Sequence, residues 1–176
     1  MCWFLDVGSG GRPKFPNVPT AVHTDLPVAD WRQRRERLQK TMNLIYADAH
    51  HLPFRSGVFS LIHANHVLEH LRQPLQALKE WRRVCKDRAQ IEIYVPTPLI
   101  TNHYQANRLL QHCYDYQHYY TWNEICLRNL LQEVFNYVQV KTVVRRFTFP
   151  KSYIIHFLLQ VIGIPSELQA IARTGE

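Results

Sequence analysis

Glycine is scarce in this chain, six residues of 176, and that scarcity excludes a collagen-like repeat. Hydrophobic residues make up 46% and charged residues 20%, which excludes an intrinsically disordered tail. The four cysteines, Cys2, Cys85, Cys113 and Cys126, stand far apart and form no C-x-x-C pair. A small disulfide scaffold and a zinc ribbon are thereby set aside, and free thiols in a reducing compartment are expected. The opening run Met1-Cys2-Trp3-Phe4-Leu5-Asp6 has no basic region and soon meets a carboxylate, so it is not a secretion signal. The longest apolar stretch, Tyr153 to Ile164, contains His156 and Gln160 and falls short of the roughly 20 residues that cross a bilayer. A cytoplasmic chain without stable membrane insertion is expected. Internal repeats and low-complexity linkers are absent as well.

What is present suits one domain with an ordinary core, spanning residues 1–176. Lys and Arg exceed Asp and Glu by seven, a balance that favours anionic partners without naming one. Short apolar runs (Cys2–Val7, Ala21–His23, Leu44–Tyr46, Phe59–Ala64, Gln90–Val95) alternate with helical patterns, the mark of a parallel sheet with crossover helices. Leu75, Leu78, Trp81 and Val84/Cys85 recur at helical spacing and predict an amphipathic helix over Pro74–Cys85. Thr121-Trp122-Asn123-Glu124 reads as a capping box ahead of a helix presenting Ile125, Leu130, Leu131 and Val134 on one face. Alternation from Tyr137 to Phe147 predicts a strand, and Leu168–Ala172 a last short one, with a helix or lid over Ser152–Ile162 between them.

The connection between Gly11 and Thr20 is too short for a helical crossover, and Pro13, Pro16 and Pro19 forbid one. A tight extended loop is expected there. One sheet face is then left for the C-terminal segment or a second subunit to cover, which admits a homodimer.

Leu5-Asp6-Val7-Gly8-Ser9-Gly10-Gly11 closes the first strand with glycines that permit a sharp turn and close approach of a ligand. A dinucleotide fingerprint starting at Gly8 would need glycine where Pro13 stands, and no phosphate loop of the G-K-[ST] type occurs. The carboxylate of Asp6, two residues before Gly8, would repel a pyrophosphate and attract an ammonium group. S-adenosylmethionine, which has no phosphate and carries an α-amino group and a sulfonium, fits such a site better than NAD. Asp25 ends the second predicted strand, where an acidic residue can bind both ribose hydroxyls or cap the following turn. Asp48 ends the third, where it can accept from an adenine amino group while the Ala49 N–H meets a ring nitrogen, or likewise cap a turn.

The stretch Asp48-Ala49-His50-His51-Leu52-Pro53-Phe54, Val58-Phe59-Ser60-Leu61-Ile62 and Val67-Leu68-Glu69-His70-Leu71 resembles the class I, Rossmann-like S-adenosylmethionine-dependent methyltransferases. It is most similar to their small-molecule group, which includes quinone-biosynthesis enzymes. The likeness covers residues 3–96, and residues 119–147 resemble the family's later turn, helix and sixth strand. It implies a doubly wound α/β fold: a mostly parallel seven-stranded sheet with an antiparallel C-terminal strand. Residues 1–96 would form the cofactor half and residues 97–176 the acceptor half. The helices that precede the first strand in the family do not fit into the five residues ahead of Asp6. The resemblance further implies that Asp6, Gly8, Ser9 and Gly10 cradle the methionine end, Asp25 the ribose, and Asp48 with Ala49 the adenine. Leu26 would pack on an adenine face, and Asn65 would lie beneath the sulfonium. Arg12 stands where the family has its third loop glycine, Ser60 where it usually has aspartate, Arg55 where an acidic residue is frequent, and Val134 where a glycine ends the late helix.

Methyl transfer from a sulfonium is an in-line displacement whose leaving group is already activated, so alignment matters most and a base only for a protonated nucleophile. His66 and Tyr119 are the candidate catalytic residues. Glu69 and His70 read as braces of the turn, and the acceptor groups are sought between Asn102 and Tyr120. The His and Cys residues of that stretch lack zinc-site spacing, so no metal is expected. Arg32, Arg34, Arg35, Arg37 and Lys40 form a basic run on a predicted helix, Asp30 to Lys40, which is either a solvated face or a phosphate contact. Three functions follow: methylation of a small or lipid-like acceptor with S-adenosylhomocysteine as product, methylation of tRNA or rRNA, and a non-catalytic subunit that binds S-adenosylmethionine.

Overall fold

The computed structural model describes residues 2–10, 13–27, 36, 40–97, 118–144 and 167–175. Among these, seven strands form one sheet in the order β3-β2-β1-β4-β5-β7-β6. They are β1 (Trp3–Val7), β2 (Ala21–Asp25), β3 (Leu44–Tyr46), β4 (Phe59–Asn65), β5 (Cys85–Pro96), β6 (Tyr137–Val143) and β7 (Glu167–Arg173). The first five run parallel, and β7 lies antiparallel to both β5 and β6. Two helices, α1 (Pro74–Val84) and α2 (Glu124–Gln132), and a 3-10 turn (Leu68–His70) complete the described elements. The sheet is the doubly wound arrangement expected, and chain order reverses between β1 and β4, where such sheets open a ligand crevice.

Register assigns the two faces different chemistry. Leu5 pairs with Ile62 and Val7 with Ala64, while Ile62 pairs with Ile91 and Ala64 with Ile93; all are buried. Against this apolar face α1 packs Ala77, Leu78, Trp81 and Val84, and α2 packs Leu127 and Leu131. The residues between them on the strands present the opposite face. There Asp6 pairs with both His23 and His63.

No helix forms over residues 13–20, as the three prolines require. Instead Val18 N–H donates to Phe15 O and Ala21 N–H to Val18 O in consecutive turns. This loop covers part of the polar face: the Phe15 ring sits 5.4 Å from Phe4 and edge-on to His63 at 6.3 Å.

Three expectations are corrected. The α2 cap is Asn123, whose side chain accepts from Cys126 N–H at 2.8 Å, so Glu124 opens the helix instead of closing a capping box with Thr121. Of the expected face, Leu131 is buried and Leu130 and Val134 pack against the core, but Leu127 completes the stripe in place of Ile125, which is exposed. Finally, β5 begins at Cys85, directly where α1 ends, and not at Gln90. Residues between Cys85 and Gln90 bulge, since Phe59 pairs with Cys85 and Leu61 with Gln90. Arg88 takes a φ of 60° in that bulge, and Thr174 pins it by accepting from Ala89 N–H and donating to Lys86 O.

The basic run from Arg32 to Arg37, the segment 98–117 and the stretch Ser152–Ile164 lie outside the described residues, as does the end of the strand predicted to reach Phe147. Among the described residues no helix is long and apolar enough to cross a membrane.

Candidate functional site

The tips of β1, β2 and β4 converge on one loop. Gly8 and Gly10 both adopt left-handed φ, 65° and 60°, a conformation glycine takes without a Cβ clash. Gly8 is required a second time by space, because a Cβ there would lie 2.5 Å from Val67 Cγ2 in the turn after β4. The loop is fastened to β2 by Ser9 N–H donating to Thr24 O at 3.0 Å, and by Gly10 N–H donating to Asp25 Oδ2 at 2.7 Å.

Asp6 lies beneath this loop, almost fully buried. Its Oδ2 accepts from Lys14 N–H at 2.8 Å and sits 3.2 Å from His23 Nδ1, while Oδ1 sits 3.2 Å from His63 Nδ1. Burial pushes its pKa up, yet the two imidazoles and the Lys14 amide outweigh burial and hold it below the ordinary carboxylate value. Asp6 thus joins three adjacent strands and the following loop.

Asp25 Oδ1 accepts from Leu26 N–H at 2.8 Å, which turns the chain sharply at the strand end. Beside it Leu26 is 57% exposed, an uncovered apolar surface next to a carboxylate. Asp48 is open to solvent on one side and accepts from both the backbone and the ring of His50, at 2.8 and 2.7 Å. Slight burial raises its pKa, but the His50 contacts and the charge of His51 bring it below the usual range. The loop carrying Asp48 is held by α1: Trp81 Nε1 donates to Ala49 O at 3.0 Å, and Leu52 N–H donates to Glu80 Oε1 at 2.8 Å. Glu80 is in turn ion-paired with Arg83.

These residues fit an adenosine bearing an amino acid. Leu26 offers an exposed apolar wall, Asp25 stands beside it at the end of β2, and the Asp48 side chain is half exposed. Among the described residues the buried Ser9 Oγ has no hydrogen-bond partner, an orphaned polar group within the loop.

A second cluster follows β4. Asn65 closes the strand, and His66 takes a left-handed φ of 54°, uncommon for a residue with a side chain. Its Nε2 lies 2.7 Å from Glu167 Oε1 and its Nδ1 3.4 Å from Glu69 Oε1. Burial lowers the His66 pKa, but the two carboxylates reverse that and push it up to about 9. Glu69 is 0% exposed. Tyr119 reaches the cluster through its backbone, whose N–H donates to Glu69 O at 2.9 Å. Its side chain turns to Arg72, accepting from Nε at 3.1 Å with the guanidinium over the ring. His118 stands edge-on to His70 at 4.6 Å, and burial together with the neighbouring His70 lowers its pKa. The sequence pattern singled out His66 and Tyr119 but missed Glu167, 101 residues from its imidazole partner. No local signal could have supplied it.

A parallel sheet with a reversed antiparallel end, a glycine loop at its switch point and acidic residues at or just beyond the ends of the two strands that follow that loop define the Rossmann-like S-adenosylmethionine-dependent methyltransferases. The chain belongs to the methyltransferase-domain family, which matches residues 5–93, just over half of it. It is 37% identical over 91 residues to the malonyl-[acyl-carrier protein] O-methyltransferase of Geobacter sulfurreducens, covering 47% of this chain. The match spans only 34% of that relative's length. In fold it is similar to an S-adenosylmethionine-dependent methyltransferase of Thermotoga maritima, with a TM-score of 0.73, 13% identity, and 99% and 83% of the two chains covered. It also resembles a phosphoethanolamine N-methyltransferase of Haemonchus contortus solved with phosphomonomethylethanolamine and S-adenosylhomocysteine. That similarity has a TM-score of 0.64, 14% identity, and 99% and 49% coverage.

Proposed function

We propose that the protein transfers the methyl group of S-adenosylmethionine to a small-molecule or lipid-like acceptor by in-line displacement, releasing S-adenosylhomocysteine. The observation that carries this reading is the loop Gly8–Gly10, threaded between the tips of β2 and β4 with Asp25 bonded to its backbone. The cofactor supplies an activated methyl group on a sulfonium. The chain's own work is alignment and exclusion of water.

In this reading Asp25 holds the ribose hydroxyls, Asp48 and the Ala49 N–H read the adenine edge, and Leu26 covers a ring face. Gly8, Ser9 and Gly10 receive the methionine end by close approach of the loop and through the Ser9 hydroxyl, while the Ser9 and Gly10 amides stay bonded to Thr24 and Asp25. Asp6 acts from below, holding the loop in shape, and Asn65 borders the sulfonium. Both ring nitrogens of His66 already face carboxylates. We therefore assign His66 as a positioning residue that orders Glu69 and Glu167, and Tyr119 as part of the acceptor wall. The name of the Geobacter relative supports an acyl group borne on an acyl-carrier protein as one acceptor, methylated at oxygen.

Titration calorimetry of the full chain with S-adenosylhomocysteine tests the assignment. Asp25→Ala should weaken binding at least tenfold, because a ribose acceptor is lost and the Gly10 amide is released. Unchanged affinity would sink the ribose assignment.

A further inference from the structure

Glu69 poses a problem that the proposed reaction leaves unsolved. A fully buried carboxylate is normally satisfied by hydrogen bonds, because removing its charge from water is costly. Among the described residues neither of its oxygens has a hydrogen-bond partner. The facing group is His66, whose Nδ1 is 3.4 Å from Oε1 and whose other nitrogen is bound to Glu167. One imidazole thus stands between two carboxylates, hydrogen-bonded to Glu167 and more distant from Glu69.

Two further donors adjoin that carboxylate. His70 Nε2 lies 4.0 Å from Glu69 Oε1, and one ligand atom from each of Glu69, His70 and His118 falls within 4.8 Å of the others. The backbone holds this group together. Tyr119 and Tyr120 N–H both donate to the Glu69 carbonyl, at 2.9 and 3.4 Å, which ties the segment bearing His118 to the 3-10 turn bearing His70.

We propose that Glu69, His70 and His118 form a binding site for a divalent transition-metal ion, with zinc as the reference ion, beside the turn that follows β4. Two imidazoles and one carboxylate are a borderline-soft donor set that suits zinc or cobalt; magnesium and calcium prefer all-oxygen shells. A tetrahedral ion with bonds of about 2.0–2.1 Å places its ligand atoms about 3.3 Å apart, so the donors must draw together by roughly an ångström. His70 and His118 are only half-buried and can turn to do so. Three protein ligands leave a fourth position open, the pattern of sites that act on a bound molecule. A hydroxyl or carboxylate held there would be oriented, and a hydroxyl would lose its proton more easily. Such an ion would supply what His66, hydrogen-bonded to Glu167, does not.

The full chain, stripped with a chelator and dialysed, is titrated with cobalt(II) in the absence of S-adenosylmethionine, so the result is independent of the proposed reaction. One equivalent should bind at micromolar concentration with visible ligand-field absorption, and zinc should displace it. His118→Ala and Glu69→Gln should each weaken binding at least tenfold, while His51→Ala, at an exposed imidazole beside Asp48, should not. If Glu69→Gln loses its cooperative melt, His118→Ala decides alone. Absence of cobalt uptake, or uptake unchanged in His118→Ala, overturns the site and leaves the methyl-transfer reading standing.

Discussion

Two loop glycines separate conformational demand from spatial demand. Gly8 and Gly10 share a left-handed φ, but a Cβ at Gly8 meets Val67 at 2.5 Å whereas one at Gly10 meets nothing within 4 Å. Both alanine variants bear the backbone strain, of order 1–3 kcal/mol. Only Gly8→Ala must also push the loop from the β4 turn. Calorimetry with S-adenosylhomocysteine should show at least a tenfold loss of affinity for Gly8→Ala and a clearly smaller one for Gly10→Ala; equal losses would refute the packing argument. At this scale the strand-tip residues Asp25 and Asp48 and the glycines were legible, because they sit within a few positions of the turns they serve. The partners of Asp6 and His66 were not. His23 is 17 residues from Asp6, His63 is 57 away and Glu167 is 101 from His66, and only sheet register brings them together.

Among the elements, α1 was readable from its period because its stripe of Leu78, Trp81 and Val84 is continuous. The start of α2 was misread for a physical reason: Thr121 and Asn123 are both good caps, and only the bond from Cys126 N–H to the Asn123 side chain decides between them. The helix lies against β6 and β7 with Leu127 and Leu131 completely buried. Leu131→Ala should therefore cost about 2–5 kcal/mol, whereas Ile125→Ala at an exposed position should stay within about 0.5 kcal/mol. Urea unfolding of the two variants checks this; similar costs would mean that the other face packs. The early start of β5 was invisible to hydrophobic pattern, since Lys86, Asp87 and Arg88 form a bulge that interrupts it.

For the whole molecule, the polar sheet face makes stability depend on acid. The Asp6 carboxyl is held below its ordinary value although burial opposes this, because His23, His63 and the Lys14 amide face it. A carboxyl depressed in the folded state adds stability above its unfolded value of about 3.9, and that contribution vanishes as pH falls through the lower folded value. The difference in urea stability between the unmodified chain and Asp6→Asn should accordingly be largest near neutrality and shrink below about pH 4. A difference independent of pH would show that Asp6 acts through shape alone.

The pairing of His66 with Glu167 reaches over the end of β5, from the half of the sheet that carries the glycine loop to the strand that reverses direction. A single imidazole therefore works as a clasp between the two halves. The first residue of β7, already paired with the ends of β5 and β6, is thereby also tied by its side chain to the residue that follows β4.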